Sequence, residues 1–231
     1  MAIQRKVNKD FFKIWSSQMA YVLGFFAADG CITVHANGGE YIDFHISDGE
    51  LLYKIRNTMD SDHHIKERRW KKNESILYRM QIGSKEICND LRCLGFREGK
   101  TNHMPFPNIP LEHAGDFIRG YFDGDGHVWT GAIHKKRKTQ LEVIQTKFSS
   151  CSHDFLEGLQ TYLRENYGAG GSILKRKKKN VYVLQYSIND SLLLYDLMYG
   201  NLQTDLFLER KKKVFDKFIK KRKKIDNAAV V

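Results

Sequence analysis

Two apolar runs, each closed by an Asp-Gly pair, set the pattern of this chain. Residues 22–30 read VLGFFAADG and residues 118–126 read IRGYFDGDG, sharing Gly24/Gly120, Phe26/Phe122, Asp29/Asp125 and Gly30/Gly126. The stretch QMAYVLGFFAAD at 18–29 is apolar nearly all round, which predicts a buried helix. The segments after each run keep the same order. A strand-like stretch comes first (CITVHA, HVWTGAI), then a second (YIDFHIS at 41–47, VIQTKFS at 143–149). Apolar residues then recur at helical spacing, Leu51, Leu52, Ile55 and Met59 in one half and Phe155, Leu156, Leu159 and Leu163 in the other. A hairpin comes next, over about 63–82 and 171–188, and each half closes on a helix, IGSKEICNDLRCLG against INDSLLLYDLMYGN. The predicted order is α-β-β-α-β-β-α, twice, an α+β fold.

Every proline of the chain, Pro105, Pro107 and Pro110, falls inside PFPNIP. Proline fixes φ and disfavours helix at the residue before it, so this segment reads as an extended linker. The organisation is then a first repeat at 1–103, a linker at 104–112 and a second repeat at 113–231. The second repeat ends in a basic amphipathic helix over 208–224, striped by Val214, Phe215, Phe218 and Ile219.

Gly24 and Ala28 lie four apart on one helix face, as do Gly120 and Gly124. Glycine inside a helix costs about 1 kcal/mol relative to alanine, so its repetition points to close helix packing, most simply of one copy against the other. Both helices finish on aspartate, which the negative end of the helix dipole disfavours, followed by glycine, the expected left-handed stop. Packed side by side in parallel, the helices bring two carboxylates and two helix ends together. Such a cluster needs cations to neutralise it. Oxygen donors with room for water and phosphate suit Mg2+, and paired carboxylates under a phosphodiester suit metal-assisted hydrolysis. A calcium loop starting at Asp123 is excluded, because its twelfth position is His134 and not glutamate.

Charge narrows the partner. With 38 basic and 27 acidic residues the net charge is +11, which attracts polyanions. The chain has no apolar run long enough to span a bilayer, and its first residues, MAIQRKVNKDFFKIW, lack the apolar core of a secretory signal. A membrane role is therefore not expected. Cys31, Cys88, Cys93 and Cys151 are too scattered for zinc and are expected to be buried thiols in a reducing compartment, either cytoplasmic (nucleoid-associated) or organellar.

Alternation along the strands separates a core face from an open one. Ile32, Val34, Ile42, Phe44 and Ile46, then Tyr78, Met80 and Ile82, are expected to point inward. Thr33, His35, Tyr41, Asp43, His45, Ser47, Leu77, Arg79 and Gln81 then face outward, joined in the second half by Trp129, Gln145, Lys147, Ser149, Arg176, Val183, Gln185 and Ser187. A polar sheet face of this kind suits major-groove readout of double-stranded DNA. Basic turns at 66–72, 134–138 and 175–179, which include Arg68, Lys135, Lys136, Arg137 and Lys178, suit phosphate gripping. His63 and His64 read as a surface turn.

On the paired motifs, with GSKEICNDLRCLGFREGKT and DFIRGYFDGDG around the prolines, the chain resembles a LAGLIDADG homing endonuclease of the single-chain, two-repeat kind. The resemblance covers nearly the whole chain. It implies a pseudo-twofold saddle of antiparallel sheets, with the motif helices at the interface of the halves. It implies metal held by Asp29 and Asp125 with the helix-end residues Ala28 and Gly124, the ion being Mg2+, with Ca2+ or Mn2+ as substitutes. It places a catalytic lysine after the last helix of each repeat, at Lys100 and Lys211, with Arg210 an alternative to Lys211. The motif's earlier aspartate is Asp123 in the second copy but Ala27 in the first, which reads as a packing change. The implied activity is site-specific cleavage of both strands of a long, asymmetric duplex by an intron-encoded monomer that needs no protein partner. The competing readings are a non-cleaving DNA-binding regulator, an RNA-splicing maturase, or a splicing intein. Without a terminal His-Asn pair, a free-standing protein is expected.

Overall fold

The computed structural model describes residues 5–69, 76–99, 102–133, 141–177 and 180–228, with side chains to residue 223. The first half runs α1 (Ser17–Asp29), β1 (Gly30–Val34), β2 (Glu40–Ile46), α2 (Gly49–Thr58), β3 (Ile65–Arg68), β4 (Leu77–Gly83) and α3 (Lys85–Cys93). The second runs α4 (Ala114–Asp125), β5 (Gly126–Ile133), β6 (Leu141–Ser150), α5 (His153–Tyr167), β7 (Ser172–Lys175), β8 (Tyr182–Tyr186) and α6 (Ile188–Tyr199), followed by α7 (Glu209–Ala228). The strands form two four-stranded antiparallel sheets, β1-β2-β4-β3 and β5-β6-β8-β7, so the predicted double αββαββα order holds.

Local chemistry starts several of the helices. The side chains of Ser16, Asp48, Ser84 and Ser152 accept the N–H of Met19, Leu51, Ile87 and Phe155, each satisfying an otherwise unpaired first-turn donor. Packing decides the centre. Residues 19–27 of α1 are all buried, and α1 and α4 run in parallel in contact. A Cβ on Gly24 would lie 2.0 Å from the Phe117 carbonyl oxygen, and one on Gly120 would lie 2.0 Å from that of Tyr21. The paired glycines thus let the two backbones touch, as the repeat predicts.

The expected left-handed stop does not occur. Gly30 (φ −96°, ψ 159°) and Gly126 (φ −89°, ψ 156°) are extended, because each helix passes straight into a strand. Glycine is needed there for space: a Cβ would come within 2.1 Å of the Phe26 ring at Gly30 and within 2.3 Å of the Phe122 ring at Gly126. The Asp-Gly junction is a tight helix-to-strand corner under a phenylalanine.

Three further expectations need correction. Val34, assigned to the core face, is 53% exposed, since it ends an edge strand beyond the reach of the helices. The cysteines form no disulfide, but only Cys88 is buried; Cys93 is exposed and Cys31 and Cys151 are half-buried. His63 is buried, with Nδ1 2.9 Å from the Ser61 hydroxyl, while His64 is exposed. The proline segment has no helix or strand, yet it is packed. Met104 and Ile109 are buried, and the Phe106 ring meets those of Phe117, Phe155 and Tyr162. In α7, Phe215 and Phe218 are buried as the stripe predicts, and so is Lys211.

Candidate active site and DNA interface

The parallel packing of α1 and α4 brings Asp29 and Asp125 to the same end of the helix pair, both half-buried. Gly124 makes the approach possible: a Cβ there would lie 2.4 Å from that of Ala28 and 3.0 Å from Oδ2 of Asp29. The Asp29 carboxylate therefore rests against the opposite helix. A cleft of about 160 Å³ beside Asp125 is lined by Ala27, Ala28, Gly30, Cys31, Gly99, Met104, Ser150 and Cys151, so both halves contribute to it. Burial raises the Tyr121 hydroxyl well above its ordinary range, and the charges of Asp125 and Asp29 push it further the same way. That residue feels both carboxylates. The two carboxylates are oxygen donors of the kind that hard divalent cations take, and the thiols of Cys31 and Cys151 line the same cleft.

Lys211 has a definite place. Its Nζ donates to the carbonyls of Phe122 (2.6 Å), Asp123 (2.8 Å) and Gly126 (2.7 Å), closing the end of α4. Carbonyls at a helix C-terminus are a natural seat for an ammonium group, and that of Phe122 accepts the Gly126 N–H as well. Burial lowers the Lys211 pKa to about 8, against the opposing pull of Asp123 and, less, of Asp29 and Asp125. Arg210, the alternative, is exposed and 3.9 Å from Asp48 across the repeats. Lys100 lies outside the described residues; its neighbour Gly99 lines the cleft beside Asp125.

The asymmetry at Ala27 has a partner. Asp123 Oδ2 accepts the Tyr21 hydroxyl (2.8 Å) and the Leu208 N–H (2.9 Å), anchoring the chain just before α7. By the motif alignment Tyr21 corresponds to Phe117 and Asp123 to Ala27. One side of the interface has a polar pair and the other an apolar one. Nearby, the buried Arg119 donates to the carbonyls of Met198 and Leu206 and pairs with Asp116, fixing the loop before α7.

The open sheet faces carry most of the predicted set. Thr33, Tyr41, His45, Arg79 and Gln81 are half-buried and His35, Ser47 and Arg68 are exposed. In the second half Trp129, Arg176 and Ser187 are exposed, with Gln145, Lys147, Ser149 and Gln185 half-buried. Lys135, Lys136, Arg137 and Lys178 lie outside the described residues. Two residues differ from expectation. Asp43 is on the open face but fully buried under its neighbours, and Val183 there is 6% exposed. The sequence reading missed His127, exposed one residue past Gly126, opposite Lys147 in the ladder. Burial lowers its pKa, and Lys147, Lys211 and Arg176 lower it further. It also missed Arg5, which with His64, Lys66, Arg79 and Gln81 lines a basic groove of about 310 Å³. Position directly after the motif was the available signal for His127; for Arg5 there was none.

Among the described residues, His153, Asp154 and Glu157 form a group whose potential ligand atoms lie within 4.8 Å of one another. It occupies the first turns of α5, with Asp154 and Glu157 exposed, and is a candidate cation site sharing no residue with the Asp29–Asp125 pair. The i, i+1, i+4 spacing was its signal in the sequence.

Two antiparallel sheets, joined through a glycine-packed pair of parallel helices that each end in aspartate, define a two-repeat α+β protein of pseudo-dimeric architecture. A model of the LAGLIDADG-like domain matches residues 16–92 and 112–210, and the chain belongs to that family. Among solved structures it is similar to the homing endonuclease I-WcaI bound to its DNA recognition sequence, at 18% identity, 89% of this chain, 90% of that one and TM-score 0.58. It is also similar to the LAGLIDADG meganuclease I-AabMI bound to uncleaved DNA, at 14% identity, 93% of each chain and TM-score 0.61. At these identities the likeness is one of fold. A probable translation initiation factor IF-2 of Methanocaldococcus jannaschii is 28% identical over 149 residues, which cover 62% of this chain but 11% of that protein. Among the described residues no helix is long and apolar enough to cross a membrane.

Proposed function

We propose that this protein cuts both strands of a long, asymmetric DNA duplex by divalent-metal-dependent phosphodiester hydrolysis. The observation that carries the reading is the meeting of Asp29 and Asp125 at the paired ends of α1 and α4, made possible by the absence of a side chain at Gly124. Asp29 and Asp125, with the carbonyls of Ala28 and Gly124, would hold the cation, Mg2+ or in its place Ca2+ or Mn2+. A cation so held supplies charge stabilisation for the phosphoryl oxygens and for the leaving oxygen. Lys211, seated on the α4 carbonyls, fixes the corner that carries Asp125, and Lys100 and Lys211 would be the catalytic lysines of the first and second halves.

Duplex DNA lies along the two open sheet faces in this reading. Thr33, His35, Tyr41, His45, Ser47, Arg79, Gln81, Trp129, Gln145, Lys147, Ser149, Gln185 and Ser187 face bases, and Arg68, Lys135, Lys136, Arg137, Arg176 and Lys178 face phosphates. The family membership and the DNA-bound relatives of the same fold support it. So does the net charge of +11. The unlike side chains of the two faces support an asymmetric target, read by one chain without a protein partner. An intron-encoded origin belongs to the same proposal.

The test is a cleavage selection from a randomised duplex library with Mg2+, followed by Asp29→Asn and Asp125→Asn on the selected site. Loss of double-strand cleavage with binding retained in both variants is expected. Full cleavage by either variant would sink the assignment. Tight binding without any cleavage by the unaltered protein would favour a non-cleaving regulator.

A further inference from the structure

Asp43 lies in the middle of the first open sheet face, where a carboxylate would repel a polyanion, yet it is fully buried. Four neighbours cover it. Arg79 donates through Nε at 2.7 Å and approaches through Nη2 at 2.6 Å, both on Oδ1. Gln81 Nε2 (3.1 Å) and the Thr33 hydroxyl (3.0 Å) donate to Oδ2. His45 Nε2 stands 4.0 Å from Oδ1, and burial lowers its pKa more than Asp43 raises it. These contacts fix the geometry of the Asp43–Arg79 pair.

The guanidinium has five N–H donors in a rigid plane. Asp43 occupies the edge formed by Nε and Nη2. That leaves the end formed by Nη1 and the second hydrogen of Nη2, two parallel donors on a side chain that is still 42% exposed. Two parallel donors match O6 and N7 of guanine in the major groove. An unclamped arginine would serve any phosphate within reach; a clamped one presents a single donor pair in a single direction.

The second half shows what the clamp replaces. Asp43 pairs with Cys31 and Gln81 across the first sheet, as Lys147 pairs with His127 and Gln185 across the second. Arg79 faces His45, as Val183 faces Ser149. The pseudo-twofold mates of Asp43 and Arg79 are thus Lys147 and Val183. The second face has no clamp at this place, only a direct cation and a buried apolar residue.

We propose that Asp43 is a positioning residue that makes Arg79 a guanine reader at one base pair of the first half-site. The proposal rests on the reading of this face as the duplex-binding surface.

A binding selection from a randomised duplex library, run on the unaltered protein, Asp43→Asn, Arg79→Ala and Arg79→Lys, tests it. The unaltered protein is expected to select a guanine at one position, and all three variants to lose that preference by about tenfold or more. Other positions keep their preference. Asp43→Asn removes a negative charge, so its binding to unselected duplex holds or strengthens. Arg79→Lys keeps a cation on Asp43 and does not depend on the folding of Asp43→Asn. Retention of the guanine by Asp43→Asn or Arg79→Lys overturns the proposal, as does a uniform loss at every position, which marks a merely structural role. A selected site lacking such a guanine overturns it and leaves duplex recognition standing. Failure of the unaltered protein to select any sequence overturns both.

Discussion

Gly24 in α1 and Phe117 in α4 touch backbone to backbone, with no room for even a methyl group between them. The atom in the way is a carbonyl oxygen of the opposite helix, so relief requires the helices to separate. Gly24→Ala and Gly120→Ala are predicted to lose roughly 1–3 kcal/mol or more by overpacking, against about 1 kcal/mol gained in helix propensity. Urea unfolding checks this. A midpoint at or above that of the unaltered protein would contradict the contact. Because the same helices carry Asp29 and Asp125, cleavage should fall in both variants even where they remain folded.

Lys211 satisfies three carbonyls with one ammonium group. Lys211→Met is predicted to cost roughly 2–4 kcal/mol, because buried acceptors lose their donors. Lys211→Arg should restore little, since a planar fork cannot converge on three acceptors as an ammonium does. Chemical denaturation of the three proteins gives the order. Equal stability would show that the carbonyls find other donors.

Asp123 gives a pH signature. Burial raises its pKa from 3.8 to about 6, opposed by Lys211, the Tyr21 hydroxyl and the Leu208 N–H. Between those values the folded chain keeps a proton that the unfolded chain has released. The contribution of this group therefore falls as pH rises from about 4 to about 6 and stays low above that. The shift corresponds to roughly 3 kcal/mol at 1.36 kcal/mol per pH unit. Asp123→Asn should abolish that slope, so unfolding free energies of variant and parent converge or diverge across the window. Parallel curves from pH 4 to 7 would refute the assignment.

Binding to duplex DNA should be steeply salt-dependent. Six to ten phosphate contacts imply an affinity loss of about 10³–10⁵-fold between roughly 50 and 200 mM salt. Titration by fluorescence anisotropy at several salt concentrations measures the slope. A flat response would argue against phosphate gripping by the basic turns.

The architecture was legible because its signals are local and doubled. The apolar run ending at Asp29 recurs at Asp125, and strand alternation at Ile42, Phe44 and Ile46 separates core from open face without tertiary knowledge. Properties set by a distant partner were not legible. Asp43 alternates outward as expected, but Arg79, Gln81 and Thr33 from neighbouring strands close over it. Lys211 looks like one more residue of a basic helix until α4 presents its carbonyls. Gly30 was read from its place after a helix, whereas its role is set by the ring of Phe26.

The Tyr21–Asp123 bond and its apolar mirror image, Phe117 and Ala27, bear on how the two halves recognise each other. A first half placed against its own copy would bury the Tyr21 hydroxyl opposite Ala27 at both sides of the axis. A second half against its own copy would bury the Asp123 carboxylate opposite Phe117 twice. Each self-pairing strands a polar group twice in the interface, at a cost of roughly 1–3 kcal/mol per group, whereas the mixed pairing joins the Tyr21 hydroxyl to Asp123 Oδ2 and leaves only Asp123 Oδ1 without a partner. The two repeats thus fit each other as a lock fits its key, and the inequality of the two motifs favours the pairing of unlike halves over the pairing of like ones.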